Sequence, residues 1–225
     1  MAEKKRTNRI IAVILWLICA AMFLPMVFVI MNSFKTFGQV VMEPLALPEA
    51  WNLDNFKEVM NTGHYAKIFG NTIYFAVLSG VIVIGLGAMA GYKLARMNNK
   101  IGHITSVVFM IAMMLPFPVI MIPLAVTASD LHITNNLTLI SVLNAGFSCS
   151  LAVIMYTQAV KSIPRELDEC AYMDGCSGYR FFFQIIFPLL KPINGTVAVL
   201  YFIRYWNDLM LPMILISKKE LYTIP

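Results

Sequence analysis

The chain has 225 residues, of which 59 % are hydrophobic and 13 % are charged, and its net charge is only +5. Soluble globular proteins contain about 45–50 % apolar and about 25 % charged residues, because a chain folded in water must cover itself with polar groups. The composition therefore excludes a disordered chain, a disulfide-rich secreted module and an ordinary soluble enzyme. It favours a polytopic integral membrane protein.

Five stretches are long and apolar enough to cross a membrane. A helix needs about 20 mostly apolar residues to cross a hydrocarbon core of about 30 Å, and lipid offers the backbone no hydrogen-bond partners. We therefore predict an all-α fold, a bundle of five helical spans within a single transmembrane domain covering residues 1–225. The predicted spans are residues 10–31, 68–92, 104–126, 139–160 and 193–216.

Basic residues are unevenly distributed between the connections. Residues 1–9, 93–103 and 161–192 together carry eleven Lys and Arg, whereas the connections that alternate with them carry five. Cytoplasmic connections of membrane proteins are enriched in Lys and Arg. We therefore predict that the N-terminus and the 161–192 connection lie in the cytoplasm.

Prolines and glycines mark two of the spans. Pro116, Pro118 and Pro123 interrupt the third span, where they form either a kink that moves or lines a pathway, or static packing features. Gly87 and Gly91 lie four residues apart in the second span. This spacing of small residues favours close helix packing over a gating hinge.

The fifth span contains costly polar residues. Arg204 and Asp208 lie four apart, which predicts one helical face, and Asn207 is adjacent. A charge at the bilayer centre costs about 2.5–3.5 kcal/mol on insertion scales, so such residues usually face a bundle interior or a wet cavity. Two interpretations stay open: a polar lining of a translocation path, or structural bonding as an Arg204–Asp208 pair or to neighbouring helices. Asn71 and Asn144 are predicted to form hydrogen bonds between helices.

The connection 161–192 is long and carries its own helical pattern. Ser162 is predicted to cap a first short helix and Ser177 a second, with Gly175 supplying the left-handed conformation between them. Loops of this length that carry structure usually have a function. A protrusion with acidic and apolar sides suits docking in a groove on another protein.

Residues 169–175 read ECAYMDG, and after nine further residues 185–188 read IIFP. This pattern resembles the EAA motif of bacterial ABC-importer permease subunits, which runs Glu-Ala-Ala, three residues, Gly, nine residues, Ile-x-Leu-Pro. The spacing matches throughout. Cys170 replaces the middle Ala and Phe187 replaces Leu, and both changes exchange one apolar residue for another.

A second set of segments resembles the carbohydrate-uptake permeases of the maltose and multiple-sugar type. Members of that group usually have six spans with both termini inside. The resemblance therefore implies that the chain is C-terminally truncated and lacks about one outer loop and one further span of about 20 residues. The segments that carry this likeness are 47–56, 115–124, 206–212 and 220–225.

The resemblance implies roles for the coupling loop 161–192. It would dock on a cytoplasmic ATPase subunit, with Glu169 as the charged contact, Ala171 packed closely at the interface, and Gly175 forming the turn beside Asp174. By sequence physics alone a solvated surface acid is the favoured description of Glu169, and the full spacing match to the motif reverses that preference. Glu169→Ala or Gly175→Pro should then weaken coupling while leaving the chain inserted.

The implied partners are a pair of ATPase subunits that bind ATP, a homologous second permease, an external solute-binding protein, and a sugar or oligosaccharide. The location would be the bacterial cytoplasmic membrane. The chain has no G-x-x-x-x-G-K-[ST] phosphate loop, so we predict neither an enzyme nor a cofactor of its own, and its scattered Cys and His predict no metal site. The alternatives are a self-sufficient secondary transporter or channel, and a membrane-embedded enzyme.

Overall fold

The computed structural model describes residues 2–62 and 64–225. Over these residues it contains helices and no strands, which confirms the predicted all-α class. The chain divides into two compact units, Met1–Tyr65 and Ala66–Pro225.

The first unit contains helix α1 (Ala2–Ser33), helix α2 (Phe37–Met42) and helix α3 (Asp54–Thr62). The part of α1 from Ile11 to Ser33 is long and apolar enough to cross a membrane, in agreement with the first predicted span. A reciprocal pair of side-chain bonds between Thr36 and Gln39 caps the start of α2.

A buried lysine organises the connection that follows α1. Lys35 is 2 % exposed, and its ammonium group donates to the carbonyls of Glu43 and Pro44 at 3.0 and 3.1 Å. The Asn55 side chain donates to the carbonyls of Ser33 and Lys35. These bonds hold the segment after α2 against the end of α1, and they satisfy a charge that would otherwise be costly to bury.

The second unit is built around two long, continuous helices, α4 and α7, which contain the predicted spans 68–92 and 139–160. Its most buried side chains include the rings of Phe75, Tyr156 and Tyr201, which place the core where α4, α7 and α11 meet. The helices in chain order are α4 Tyr65–Arg96, α5 Lys100–Met114, α6 Phe117–Asp130, α7 Leu137–Lys161, α8 Glu166–Met173, α9 Gly178–Phe181, α10 Phe187–Leu189, α11 Lys191–Trp206 and α12 Met210–Leu215, with a π-helical turn Phe182–Ile186 and a 3-10 turn Lys219–Leu221.

Helices α4 and α7 approach each other at two glycines. A Cβ atom on Gly87 would lie 3.2 Å from the Cβ of Ala152. A Cβ atom on Gly91 would overlap the Tyr156 side chain and lie 3.0 Å from the backbone nitrogen of Thr157. The prediction of close packing through small residues is confirmed, because neither position has room for a larger residue without displacing α7.

The predicted third span, 104–126, is not one helix. Helices α5 and α6 meet at 97° across Leu115 and Pro116. Proline lacks an N–H and restricts the residue before it to extended backbone, so Leu115 leaves the helical region at ψ 118°. Pro118 lies in the first turn of α6, where a missing N–H costs little, and Pro123 is accommodated inside that helix.

The predicted fifth span, 193–216, is also interrupted. Helix α11 ends at Trp206, and α12 begins after a break of three residues. Pro212 explains the position of the break, because it has no N–H for the Asp208 carbonyl and its ring would clash there. The prediction that Arg204 and Asp208 lie on one helical face is therefore wrong.

Among the described residues, three helices are long and apolar enough to span a membrane, and up to five spans result if each bent pair crosses once. One bent pair is α5 with α6. The other joins Gly178–Leu189 to α11 at 77°, so it includes part of the predicted coupling loop. The structure thus agrees with a polytopic helical bundle in which two of the predicted crossings are bent.

Candidate functional site

The segment between α7 and α11 forms the predicted helix–glycine–helix unit. Gly175 has a φ of +68° and ends α8, and the Ser177 hydroxyl caps α9 by accepting from the Arg180 amide at 3.4 Å. The predicted role of Ser162 is wrong. Its hydroxyl donates to the carbonyl of Ala159 at 2.7 Å, so it helps to end α7 and does not cap α8.

Helix α8 has an outer and an inner side. Glu169 is exposed on the outer side, together with Tyr172 and Met173, which are 85 % and 76 % exposed. Asp174 is also exposed, at the end of the helix. Ala171 is only 8 % exposed and packs into the core of its own chain, so the expectation that it forms part of an outward interface is corrected.

A cluster that the sequence did not reveal joins α8 to the end of α4. The Arg96 guanidinium lies 2.7 Å from an oxygen of the Asp168 carboxylate, and the Tyr92 hydroxyl donates to the other oxygen at 2.5 Å. Arg96 also donates to the carbonyl of Ile163 at 3.2 Å. We call these four residues the Arg96 cluster. The only sequence signal was a basic residue ending one span and an acid far along the chain.

Two further interactions surround the Arg96 cluster. The Arg165 side chain donates to the Asn98 side chain at 3.2 Å, so the linker before α8 bonds to the residues after α4. The Tyr92 ring packs against the rings of Phe181 and Phe182, with centroids 6.3 and 5.6 Å apart. Phe187, which differs from the EAA pattern, lies 6.0 Å from Phe182 in the same aromatic group.

Asp208 bonds to a neighbouring helix. One carboxylate oxygen accepts from the Asn144 amide of α7 at 3.0 Å, and the other accepts from the backbone amide of Leu211 at 3.3 Å. This confirms the prediction that Asn144 bonds between helices. Arg204 is exposed and no Arg204–Asp208 ion pair forms among the residues that the structure describes, so that alternative is corrected. Asn207 is exposed, and its side chain donates to the Ile203 carbonyl of α11.

Buried tyrosines extend this polar contact along α7 and α11. The hydroxyls of Tyr205 and Ser148 are hydrogen-bonded. The Tyr201 hydroxyl donates to the carbonyl of Ser148 at 2.6 Å and accepts from the amide of Ala152 at 2.9 Å, two groups that pair with each other in a regular helix. These hydrogen bonds connect α7 and α11, the two helices that flank the predicted coupling loop. Helix α7 leads into the loop, and α11 follows it.

Asn71 and the last residues of the second unit form another contact. The Asn71 amide donates to the carbonyls of Glu220 and Tyr222 at 2.9 and 3.0 Å, so it links α4 to the segment after α12.

Within residues 2–62 and 64–225, no three His, Cys, Asp or Glu side chains come together as metal ligands. The candidate site therefore consists of the acidic helix α8, which is exposed on its outer side, and of buried hydrogen bonds between α7 and α11.

Comparison with known proteins identifies this scaffold. Residues 83–224, which include the C-terminal part of α4 and all of the predicted coupling loop, match the family described as the inner membrane component of binding-protein-dependent transport systems. The chain belongs to this family. It is therefore a multi-pass membrane protein and a permease subunit of an ABC importer, in agreement with the resemblance noted in its sequence.

Two relatives illustrate the similarity of this permease to known transport proteins. The "Probable starch degradation products transport system permease protein AmyC" of Thermoanaerobacterium thermosulfurigenes is 37 % identical over 201 residues, covering 89 % of this chain and 73 % of that protein. The "Multiple sugar-binding transport system permease protein MsmG" of Streptococcus mutans is 31 % identical over 206 residues, covering 90 % and 74 %.

A solved structure shares the fold of the permease. It is a crystal structure of a bacterial ABC transporter involved in the import of the acidic polysaccharide alginate. The TM-score is 0.83 with 20 % sequence identity, and the match covers 98 % of this chain and 78 % of that chain. At this identity the likeness concerns the fold alone.

Proposed function

We propose that this permease forms part of the translocation path for a sugar or oligosaccharide. The observation that carries the proposal is the agreement among its relatives, whose names refer to starch degradation products, arabinooligosaccharides and multiple sugars at 31–37 % identity. The partners would be a homologous second permease, two ATPase subunits that bind ATP and an external solute-binding protein.

Uptake by the assembled transporter tests the substrate class. The permease is expressed with its partners and reconstituted in liposomes, and uptake of labelled malto-oligosaccharides and arabino-oligosaccharides is compared with uptake of amino acids and phosphate. We expect ATP-dependent uptake of at least one oligosaccharide. Uptake confined to the amino acids or to phosphate would contradict a carbohydrate substrate while leaving the transport role intact.

The coupling loop 161–192 is the segment that we propose docks in a cleft of an ATPase subunit. The supporting features are its exposed acid, Glu169, with the exposed side chains of Tyr172 and Met173 beside it. Tyr and Met are both enriched at protein–protein interfaces. The excess of basic residues in this loop and its companion connections supports a cytoplasmic position, with the N-terminus on the same side.

Two variants test the docking role. Glu169→Ala removes the exposed charge, and Gly175→Pro imposes a φ near −65° where the chain needs +68°. We expect the folded permease to remain in the membrane, and solute-stimulated ATP hydrolysis and transport to fall about tenfold, the equivalent of one lost interface contact of about 1.4 kcal/mol.

Glu166→Ala is the matched control for Glu169→Ala, because Glu166 is an exposed acid on the same helix. It should keep activity close to that of the unmodified protein. Unchanged transport in both test variants would contradict the assignment of the coupling loop. A loss of folded protein in Gly175→Pro alone would leave Glu169→Ala to decide.

A further inference from the structure

We infer that Arg96 is a positioning residue for ATP-driven transport. It fixes α8 to the end of α4, so that a displacement of the coupling loop reaches α4 directly. This inference rests on the proposed docking of the coupling loop on an ATPase. The movement of the coupling loop would be transmitted by residues that lie outside the surface that binds the ATPase subunit.

The first argument is the connectivity of the chain. Helix α8 is covalently continuous with α7 through residues 162–165 and with α11 through residues 174–190, so both helices must follow it. Helix α4 ends long before α8 begins and can follow it only through non-covalent contacts. Among the described residues, the Arg96–Asp168 ion pair joins the two helices.

The second argument is the geometry of the guanidinium. One nitrogen of Arg96 faces the Asp168 carboxylate at 2.7 Å, and another donates to the Ile163 carbonyl at 3.2 Å and reaches the Val160 carbonyl at 3.5 Å. A single side chain therefore contacts α8, the linker before it and the end of α7. Among the described residues, Nη1 makes the hydrogen bonds of this guanidinium, and Nη2 meets Asp168 as an ion pair without hydrogen-bond geometry. The planar group fixes the two nitrogens relative to each other, so one residue holds three segments in one geometry.

The third argument is burial. The side chains of Arg96 and Asp168 are 14 % and 24 % exposed, so solvent screens their attraction much less than it would at an open surface. The Tyr92 hydroxyl holds the second carboxylate oxygen and restricts rotation of the carboxyl group. An ion pair fixed by additional hydrogen bonds transmits a displacement, whereas an exposed, mobile pair would absorb it.

The fourth argument concerns two adjacent acids. Asp168 points inward to Arg96, and its neighbour Glu169 is exposed on the outer side of α8. Because successive residues of a helix are about 100° apart, Glu169 can contact a partner while Asp168 contacts α4. A force applied at Glu169 therefore reaches α4 through a single turn of α8.

Asp168→Asn and Arg96→Gln test the inference in the reconstituted importer. Asp168→Asn removes one charge with little change of shape, and Arg96→Gln removes the opposite charge together with the guanidinium's hydrogen bonds to the Ile163 and Val160 carbonyls. The amount of ATPase subunit co-purified, basal ATP hydrolysis and solute uptake per ATP hydrolysed are measured together. We expect co-purification and basal hydrolysis to stay within about twofold, while uptake per ATP falls about tenfold, within the range of known coupling energies.

Asp168→Glu is the conservative rescue variant, and it should recover most of the uptake per ATP. Lys93→Gln is the matched control, because Lys93 lies on the last turn of α4, is exposed, and forms no ion pair within the described part of the chain. It should leave the ratio unchanged. Tyr92→Phe removes only the hydroxyl and should give an intermediate loss.

Three outcomes would overturn the inference. The first is uptake per ATP in Asp168→Asn and Arg96→Gln equal to that of Lys93→Gln. The second is loss of co-purified ATPase in parallel with uptake, which would place Arg96 in docking. The third is an equal loss of thermal stability in Asp168→Glu and Asp168→Asn, with no recovery of uptake in the former. A failure of the unmodified permease to bind any ATPase would instead contradict the proposed function.

Discussion

Alanine at Gly91 is expected to lower the free energy of unfolding by about 1–3 kcal/mol, the usual cost of overpacking a close contact. Its new methyl group would overlap the Tyr156 side chain and lie 3.0 Å from both the Thr157 nitrogen and the Val153 carbonyl oxygen. Backbone atoms cannot rotate away, so α4 and α7 must separate. The loss exceeds the gain of about 1 kcal/mol that alanine brings to a helix interior.

Gly85→Ala is the control for Gly91→Ala, because Gly85 lies on the same helix and its new Cβ would meet no atom within 4 Å. The control should be neutral or slightly stabilising. Thermal unfolding of both purified variants in detergent measures the difference. Equal stability of the two variants would contradict the close approach of α4 and α7 at Gly91.

Alanine at Asp208 is the second large expected effect. It removes the acceptor of the Asn144 amide on α7 and the acceptor of the Leu211 amide at the start of α12. A lost helix cap costs about 0.5–2 kcal/mol and an unsatisfied buried donor about 1–3 kcal/mol. We therefore expect reduced folded yield and a clearly lower unfolding temperature, with transport reduced in proportion to the remaining folded protein.

The Asp208 experiment also separates the two interpretations of the fifth span. Arg204→Gln is the control, because Arg204 is exposed and unpaired with Asp208 in the structure. Normal yield with lost transport in Asp208→Ala would favour a lining of the translocation path. A stability loss that Asp208→Asn partly restores, since asparagine also caps helices, would favour a structural role. No change in yield, stability or transport would contradict both.

The sequence predicted those features that depend on residues close together in the chain. Long apolar runs located the spans within α1, α4 and α7, because the length of a helix across lipid follows from composition alone. The small-residue spacing of Gly87 and Gly91 predicted a close helix contact, since four residues return to one face. Gly175 predicted the turn in the coupling loop, because few other residues accept a φ of +68°.

The errors of prediction arose where hydropathy and backbone geometry disagree. Residues 104–126 and 193–216 are mostly apolar, yet their helices are interrupted at Pro116 and at residues 207–209, ahead of Pro212. Hydropathy does not register a missing N–H. Each stretch was therefore expected to form one helix, whereas the structure has two helices separated by a break. The burial of Ala171 was not predicted for another reason. Alanine is small and occurs on both the buried and the exposed side of short helices, so its type does not indicate which side it occupies.

By itself, the sequence determined that the chain belongs in a membrane, that it is helical, and that residues 161–192 form a structured loop with the spacing of an ATPase-coupling motif. Only the tertiary structure decided which acid faces which way. Asp168 forms an ion pair with Arg96, Asp208 accepts a hydrogen bond from Asn144, and Arg204 remains exposed. These pairings depend on the rotation and register of helices that are distant in the sequence, which packing of the whole core sets and local residue patterns do not.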